Sequence, residues 1–195
     1  MLGVERSVFY FDKPGPVNTD KTLELAKKRA LELGVKKVLV ATFSGESVFK
    51  ALEIMKGTKI EIVAVSSASG STFPVKVLEK WASFNEVPSL KKLLEEWKKK
   101  GLKDVPASLP ATIAEQLRRK GVKVVYGTDP FYGAPYSIKW TIGGFSTEDV
   151  ILLSLRLLSP GYGVAVESAA KSVDAGAVEA GELVISTGGT ERGFV

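Results

Sequence analysis

Apolar positions along this chain follow two rhythms. "KVLVAT" (Lys37 to Thr42) and "IEIVAV" (Ile60 to Val65) are short, nearly unbroken apolar runs bounded by turn residues. Such runs mark strands covered on both faces. Around them apolar residues recur at helical spacing. Leu23, Ala26, Ala30 and Leu33 share one face of a helix that Asn18 or Thr19 can cap and Gly34 can stop. A second helix is predicted from Glu46 to Lys56, closed by Gly57. "SVFYF" (Ser7 to Phe11) reads as an earlier strand, broken by "KPGP". Strand, helix and strand in this order predict parallel pairing through right-handed crossovers.

The middle of the chain is more helical. Leu90, Leu93, Leu94 and Trp97 fall at i, i+3, i+4 and i+7 of an amphipathic helix ending at Gly101, and a further helix spans Pro110 to Lys120. "VKVVY" (Val122 to Tyr126) is a strand. Gly127 to Gly144, rich in Gly, Pro and aromatics, reads as a long loop of the kind that carries function. Ser146 with Asp149 three residues on resembles a helix cap. The "VILLSLRLL" that follows is apolar nearly all round, so its helix is expected to be well buried. "VAVESAAKSVDAGAVEAG" predicts another helix, with Val166, Ala169, Ala170, Val173 and Ala177 inward. "ELVIST" is the last strand, before the Gly-rich "GGTERGFV". No repeat or linker interrupts the chain. The expectation is one α/β domain over residues 1–195, a three-layer α/β/α sandwich with a mainly parallel sheet.

Composition narrows the chemistry. The 195 residues are 45% hydrophobic, enough for a sizeable core. There is no cysteine and no histidine. That removes disulfides, thiolate nucleophiles, imidazole bases and the usual zinc ligands, so no metal site is expected. No apolar run approaches the ~20 residues that span a bilayer. The first residues carry charge early and lack a secretion signal, so a cytoplasmic protein without a membrane partner is expected. Net charge is a modest +5, and Glu95 and Glu96 interrupt the lysine-rich stretch around Trp97. Nucleic acid is therefore not an expected partner.

The candidate site lies where the strands end. Four endings are rich in Ser, Thr and Gly: Thr42-Phe43-Ser44-Gly45-Glu46-Ser47, then Ser66, Ser67 and Gly70, then Gly127-Thr128, then Thr187-Gly188-Gly189-Thr190. In a parallel sheet these loops share one edge, where ligands bind. Glycine lets backbone N–H groups approach an anion, hydroxyls donate to phosphate oxygens, and a helix N-terminus adds positive potential. Each loop alone reads first as ordinary turn and cap chemistry; four converging on one edge favour an anion site, and Glu46 would repel a phosphate unless it turns away. No GxxxxGK[ST] motif exists and Gly188-Gly189 is no full GxGxxG, which argues against P-loop hydrolysis. Phe131, Tyr132, Tyr136 and Trp140 either stack on a planar ring or pack their own loop. Asp129, Lys139 and Glu167 are the candidate acid, base or phosphate-contacting groups, with Glu167 equally placed as a helix-surface residue.

"ELAKKRALELGVKKVLVATFSGESVFKALE" resembles the start of the C-terminal domain of pyruvate kinase. Ala26, Ala30, Thr42, Ser44, Gly45 and Ser47 match its A-x-x-x-A helix and T-x-S-G-x-[ST]-A loop, while Phe49-Lys50 depart from it. "GELVISTGGTERG" is similar to that domain's last strand and loop. These 195 residues leave no room for that enzyme's catalytic barrel, and the resemblance is to archaeal stand-alone proteins of this fold. The resemblance implies that Ser44, Gly45 and Ser47 hold a phosphate, and that flavin mononucleotide (FMN) is the ligand of the crevice. Two other functions stay open: a regulatory sensor for a sugar phosphate or nucleotide, and an enzyme acting on a phosphosugar through Asp129 or Lys139. Self-association into a homo-oligomer is open as well.

Overall fold

A computed structural model describes residues 5–190 together with 193 and 194, apart from the side chains of residues 82, 136, 137, 140, 190, 193 and 194. A 3-10 turn (Pro16–Asn18) leads into α1 (Thr19–Leu33), β1 (Lys37–Ala41), α2 (Glu46–Ile54) and β2 (Glu61–Ser67). An excursion follows: β3 (Thr72–Pro74), α3 (Val75–Leu78), α4 (Ala82–Glu86), α5 (Pro88–Lys99) and β4 (Asp104–Pro106). The chain returns through α6 (Ala111–Arg119) to β5 (Lys123–Gly127), then runs through α7 (Ala134–Ile142), α8 (Thr147–Arg156) and α9 (Pro160–Asp174) to β6 (Ile185–Thr187). Two short strands, β7 (Gly189–Thr190) and β8 (Gly193–Phe194), pair antiparallel at the end.

The main sheet has the order β5-β2-β1-β6 and every pairing in it is parallel. Side chains alternate across it as the two-residue period requires. Val38, Val40, Ile62 and Ala64 point into a core shared with Leu23, Ala26 and Ala30 of α1, Val48 and Ala51 of α2, and Ala114 and Leu117 of α6. Leu39, Val63, Val65 and Val125 point to the opposite face, where Ala169 of α9, Ala177 and Val178 cover them. The molecule is thus a three-layer α/β/α sandwich, and burial on both faces explains why β1 and β2 lack polar alternation.

The excursion between β2 and α6 forms a third, smaller core. Leu78, Phe84, Leu90, Leu94 and Val105 are buried in it. Phe43, from the β1–α2 turn, reaches into this cluster, 5.7 Å from the ring of Phe84 and 6.5 Å from that of Phe73. The N–H of Leu109 donates to Ser66 Oγ at 2.8 Å, fastening the returning chain to the end of β2.

Several expectations are corrected. Ser7 to Phe11 forms no strand: Val8, Phe9 and Tyr10 are exposed, and Lys21 of α1 lies over the Phe9 ring. A β-prone run needs a ladder partner, and β5 and β6 form the sheet edges without it. The 127–144 stretch contains a nine-residue helix, α7, between Gly133 and Gly143 with a proline in its first turn. Its Ile138 and Ile142 face outward, so no inward stripe announces it. "GGTERGFV" contributes the β7–β8 pair. The Ser146–Asp149 capping box forms as expected, yet α8 buries only Leu152, while Val150, Ile151 and Leu153 stay exposed. α9 starts at Pro160 and ends by Asp174, and its inward side is polar: Glu167, Ser168, Lys171 and Ser172 are buried, whereas Val173 is exposed. Among the described residues no helix is long and apolar enough to cross a membrane.

Gly188 lies where a Cβ would overlap Gly161 O and sit 2.6 Å from Ala165 N, both backbone atoms of α9. Gly188→Ala is therefore expected to destabilise the fold by about 1–3 kcal/mol. Gly70→Ala, with nothing within 4 Å, should stay within ~0.5 kcal/mol of the parent. Urea denaturation of both variants measures the contrast.

Candidate ligand cleft

The C-terminal ends of a parallel sheet are where chain direction, loop composition and helix termini bring polar groups together. Here they border a cleft of about 360 Å³ between the strand ends and the 72–106 excursion. That volume lies within the usual range for small-molecule sites.

The β1–α2 turn forms one side. The Gly45 N–H donates to Thr42 Oγ1 at 2.9 Å, Ser47 Oγ donates to Ala41 O at 3.1 Å, and Ser44 Oγ lies 3.4 Å from the Glu46 N–H. These bonds brace the turn; the N–H groups of Val48 and Phe49 turn back to Gly45 O at 3.0 Å, and Glu46 and Ser47, the first residues of α2, line the cleft. Gly45 has φ 91°, and a Cβ there would meet Ile113 Cγ2 of α6 at 2.5 Å. This glycine therefore serves packing; a substitution at it tests the fold rather than ligand approach. Glu46 lines the cleft but is held by Ser89 Oγ of α5, which donates to its carboxylate at 2.8 Å. Lys50, one helical turn on, also lines the cleft and pairs with Asp20 at 2.8 Å.

The floor is the polar side of α9. Lys171 Nζ donates to Asp129 Oδ1 at 2.6 Å and lies 3.4 Å from Ser66 O. Ser67 Oγ is 3.4 Å from the other oxygen of Asp129. Gly127 makes this possible, because a Cβ there would press on the Lys171 stem at 3.1 Å. Glu167, 6% exposed, accepts the Phe131 N–H at 3.0 Å. Burial pushes its carboxyl above the ordinary glutamate range; the Phe131 hydrogen bond opposes this, and the charge of Asp129 adds to it. Ser168, 1% exposed, lines the cleft with a buried Oγ that has no hydrogen-bond partner among the described residues. Arg156 of α8 enters beside it, its guanidinium 5.8 Å from the Tyr132 ring centroid and its buried Nε unpartnered. Buried polar atoms left unbonded cost free energy. In a cleft, ligand atoms are their natural partners.

The remaining side is aromatic. Phe43, Phe73, Trp81 and Phe84 line the cleft, with Phe73 and Trp81 edge to face at 4.9 Å. The cleft thus joins an apolar, ring-shaped wall to a floor carrying Lys171, Arg156 and a free hydroxyl.

Of the residues singled out at the strand ends, Thr42, Phe43, Ser44, Glu46, Ser47, Ser66, Ser67 and Gly189 line this cleft. Gly45, Gly70, Gly127, Thr128, Thr187 and Gly188 do not. Gly70 sits in an exposed turn and Thr128 is exposed. Thr187 is buried with its hydroxyl on Leu39 O, and Gly188 is pressed against α9. The side chains of Thr190, Tyr136 and Trp140 lie outside the described residues. Asp129, Glu167 and Tyr132 line the cleft. Lys139 pairs with Asp149 at 3.0 Å and does not line it, while Phe131 contributes its backbone N–H to Glu167. Ser168, Lys171 and Arg156 were not anticipated. The signal was present: Glu167, Ser168, Lys171 and Ser172 form one polar stripe at helical spacing; of the residues expected inward, Ala169 packs on the sheet core and Ala177 is buried, while Val173 is exposed. Compared with models of known protein families, the chain matches none.

Glu167→Gln keeps an acceptor for Phe131 but cannot ionise. Because the folded carboxyl has a raised pKa, its favourable contribution is complete below the unfolded-state pKa and lost as pH rises through the folded value. Denaturation between pH 4 and 8 should show the parent losing stability relative to Glu167→Gln across that window. Parallel curves would show that Glu167 is not desolvated.

Proposed function

We propose that the cleft binds a phosphorylated small molecule carrying a planar ring, and that FMN is this ligand. The observation that carries the reading is the pairing, in one cavity, of the Phe43–Phe73–Trp81–Phe84 wall with hydroxyl and cationic groups at the strand ends. A ring system gains area and edge or face contacts against such a wall. A phosphate suits the Ser44–Ser47 turn, the α2 N-terminus and Lys50. The resemblance of this turn to the phosphate-holding loop of the pyruvate kinase C-terminal domain supports the same placement. Bound flavin would supply redox chemistry; the residues of this chain would position it and exclude water.

A second reading is favoured by one observation. A buried carboxyl, Glu167, stands beside the Lys171–Asp129 ion pair in the same cavity. Groups so arranged are suited to acid–base work on a phosphosugar. In that reading Asp129 and Glu167 replace Lys139, which is committed elsewhere. A sensor domain would use the same cleft without turnover.

The purified protein is expected to carry flavin absorbance, or after stripping to bind FMN with quenching of flavin fluorescence. Ser44→Ala combined with Lys50→Met should weaken FMN about tenfold, ~1.4 kcal/mol, and leave riboflavin, which lacks the phosphate, unchanged. Equal losses for both ligands would remove the phosphate from this turn. Colourless protein that ignores FMN but is stabilised by sugar phosphates in a melting series would favour the phosphosugar and sensor readings; turnover lost in Glu167→Gln with binding retained separates those two.

A further inference from the structure

Three cationic and three carboxyl side chains line the cleft: Lys50, Arg156 and Lys171, with Glu46, Asp129 and Glu167. Lys50 pairs with Asp20, and Lys171 with Asp129. Glu46 accepts the Ser89 hydroxyl, and Glu167 accepts the Phe131 N–H. Among the described residues, Arg156 has no carboxylate within ion-pairing distance, and its buried Nε makes no hydrogen bond. An unmatched cation with a buried, unbonded donor is costly unless a ligand completes it.

The surroundings hold this arginine in place. Gly163 of α9 lets α8 come close, since a Cβ there would meet Leu152 Cδ1 at 2.9 Å and Arg156 Cγ at 3.6 Å. The Tyr132 ring centroid lies 5.8 Å from the guanidinium carbon. A ring over the flat face of the cation leaves its N–H edge for acceptors. On α9, Val164, Glu167, Ser168 and Lys171 recur at i, i+3, i+4 and i+7 along the cleft. Ser168 is 1% exposed, and its Oγ has no partner among the described residues. One cavity is thus bordered by two buried donors, on adjacent helices, that the protein itself does not use.

We propose that Arg156 and Ser168 form a second polar subsite, which takes the acceptor oxygens of a carboxylate or a ring carbonyl at the end of the ligand remote from its phosphate. The proposal rests on the phosphorylated-ligand reading above and adds that the ligand carries acceptors at both ends. The two subsites reach the cleft from opposite faces of the sheet. The Ser44–Ser47 turn leads into α2, which packs on the Val38–Val40 face, whereas α9 covers the Leu39–Val63 face. A phosphate held at the turn therefore leaves Arg156 for another group. A guanidinium edge suits oxygens bearing full or partial negative charge, and the serine hydroxyl adds a further donor.

Calorimetric titration of the full chain with four ligands tests this. FMN and riboflavin share the ring carbonyls and differ in the phosphate. Phosphogluconate and sorbitol phosphate share the phosphate and differ in a carboxylate against a hydroxymethyl group. Arg156→Met is expected to weaken FMN and riboflavin by the same factor, about tenfold, and Ser168→Ala both by about threefold. If the ligand is a phosphosugar acid, the parent should prefer phosphogluconate about tenfold, and both changes should remove that preference. Ser168→Ala deletes a hydroxyl that bonds to nothing in the protein, so the Tm without ligand should not fall. This variant keeps the test decisive even if Arg156→Met folds poorly. A lower Tm with unchanged affinities would mark a structural serine and overturn the proposal. Flavin affinities indifferent to both changes would overturn the subsite and leave FMN binding standing. A loss confined to FMN, with riboflavin untouched, would put the phosphate on Arg156 and overturn it as well. Flavins that do not bind, with an Arg156-dependent preference for phosphogluconate, would sink the FMN reading and uphold the subsite. A protein that binds none of the four would sink both.

Discussion

The shape of the cleft depends on an ammonium group taken out of water. Lys171 is 6% exposed, and its Nζ meets Asp129 at 2.6 Å. Moving such a charge into a protein interior costs several kcal/mol, which a close carboxylate and further acceptors offset. The pair ties α9, on one face of the sheet, to the loop after β5, and the approach to Ser66 O draws in the end of β2. Gly127 leaves room for the lysine stem. Removing Asp129 would leave the buried ammonium of Lys171 without its counterion, whereas Asp129 itself is partly open to solvent.

Around this anchor the cleft is closed by a part of the chain that the sheet does not require. The excursion between β2 and α6 has its own small core, and it is fastened by Phe43 inserted among its rings, by Leu109 bound to Ser66 and by Ser89 bound to Glu46. The β1–α2 turn therefore has two tasks. Its hydroxyls brace the helix start, and its aromatic and acidic side chains dock the excursion. Glu46 both lines the cleft and docks the excursion: its carboxylate accepts the hydroxyl of Ser89.

α8 and α9 show how the same helical period can hide different information. α8 is apolar on both sides, and α9 is apolar on one side and polar on the other. Hydrophobic spacing identifies both as helices. It leaves open which side of α9 meets the sheet, because small residues such as Ala169 and Ala170 are compatible with burial and with exposure alike. Four polar residues occupy the buried side, and they are tolerated because Lys171, Glu167 and Ser172 find partners at the ends of the sheet and along the helix itself.

The sequence by itself determined the three-layer sandwich, the parallel strands β1, β2 and β5, the helix ends at Gly34 and Gly121, and the Ser146 cap. Each follows from local period or local backbone chemistry, which acts within a few residues. It also located the strand-end turn from Thr42 to Ser47 at the cleft. Only the tertiary structure decided that Ser7 to Phe11 is no strand, that Gly45 and Gly188 serve packing, and that Lys171, Ser168 and Arg156 share a cavity with Asp129. Those outcomes depend on partners far away in the chain, 42 residues in the case of Lys171 and Asp129. A strand needs a ladder, a glycine needs a neighbour that presses on it, and a buried charge needs its counterion, and none of these is encoded in local spacing.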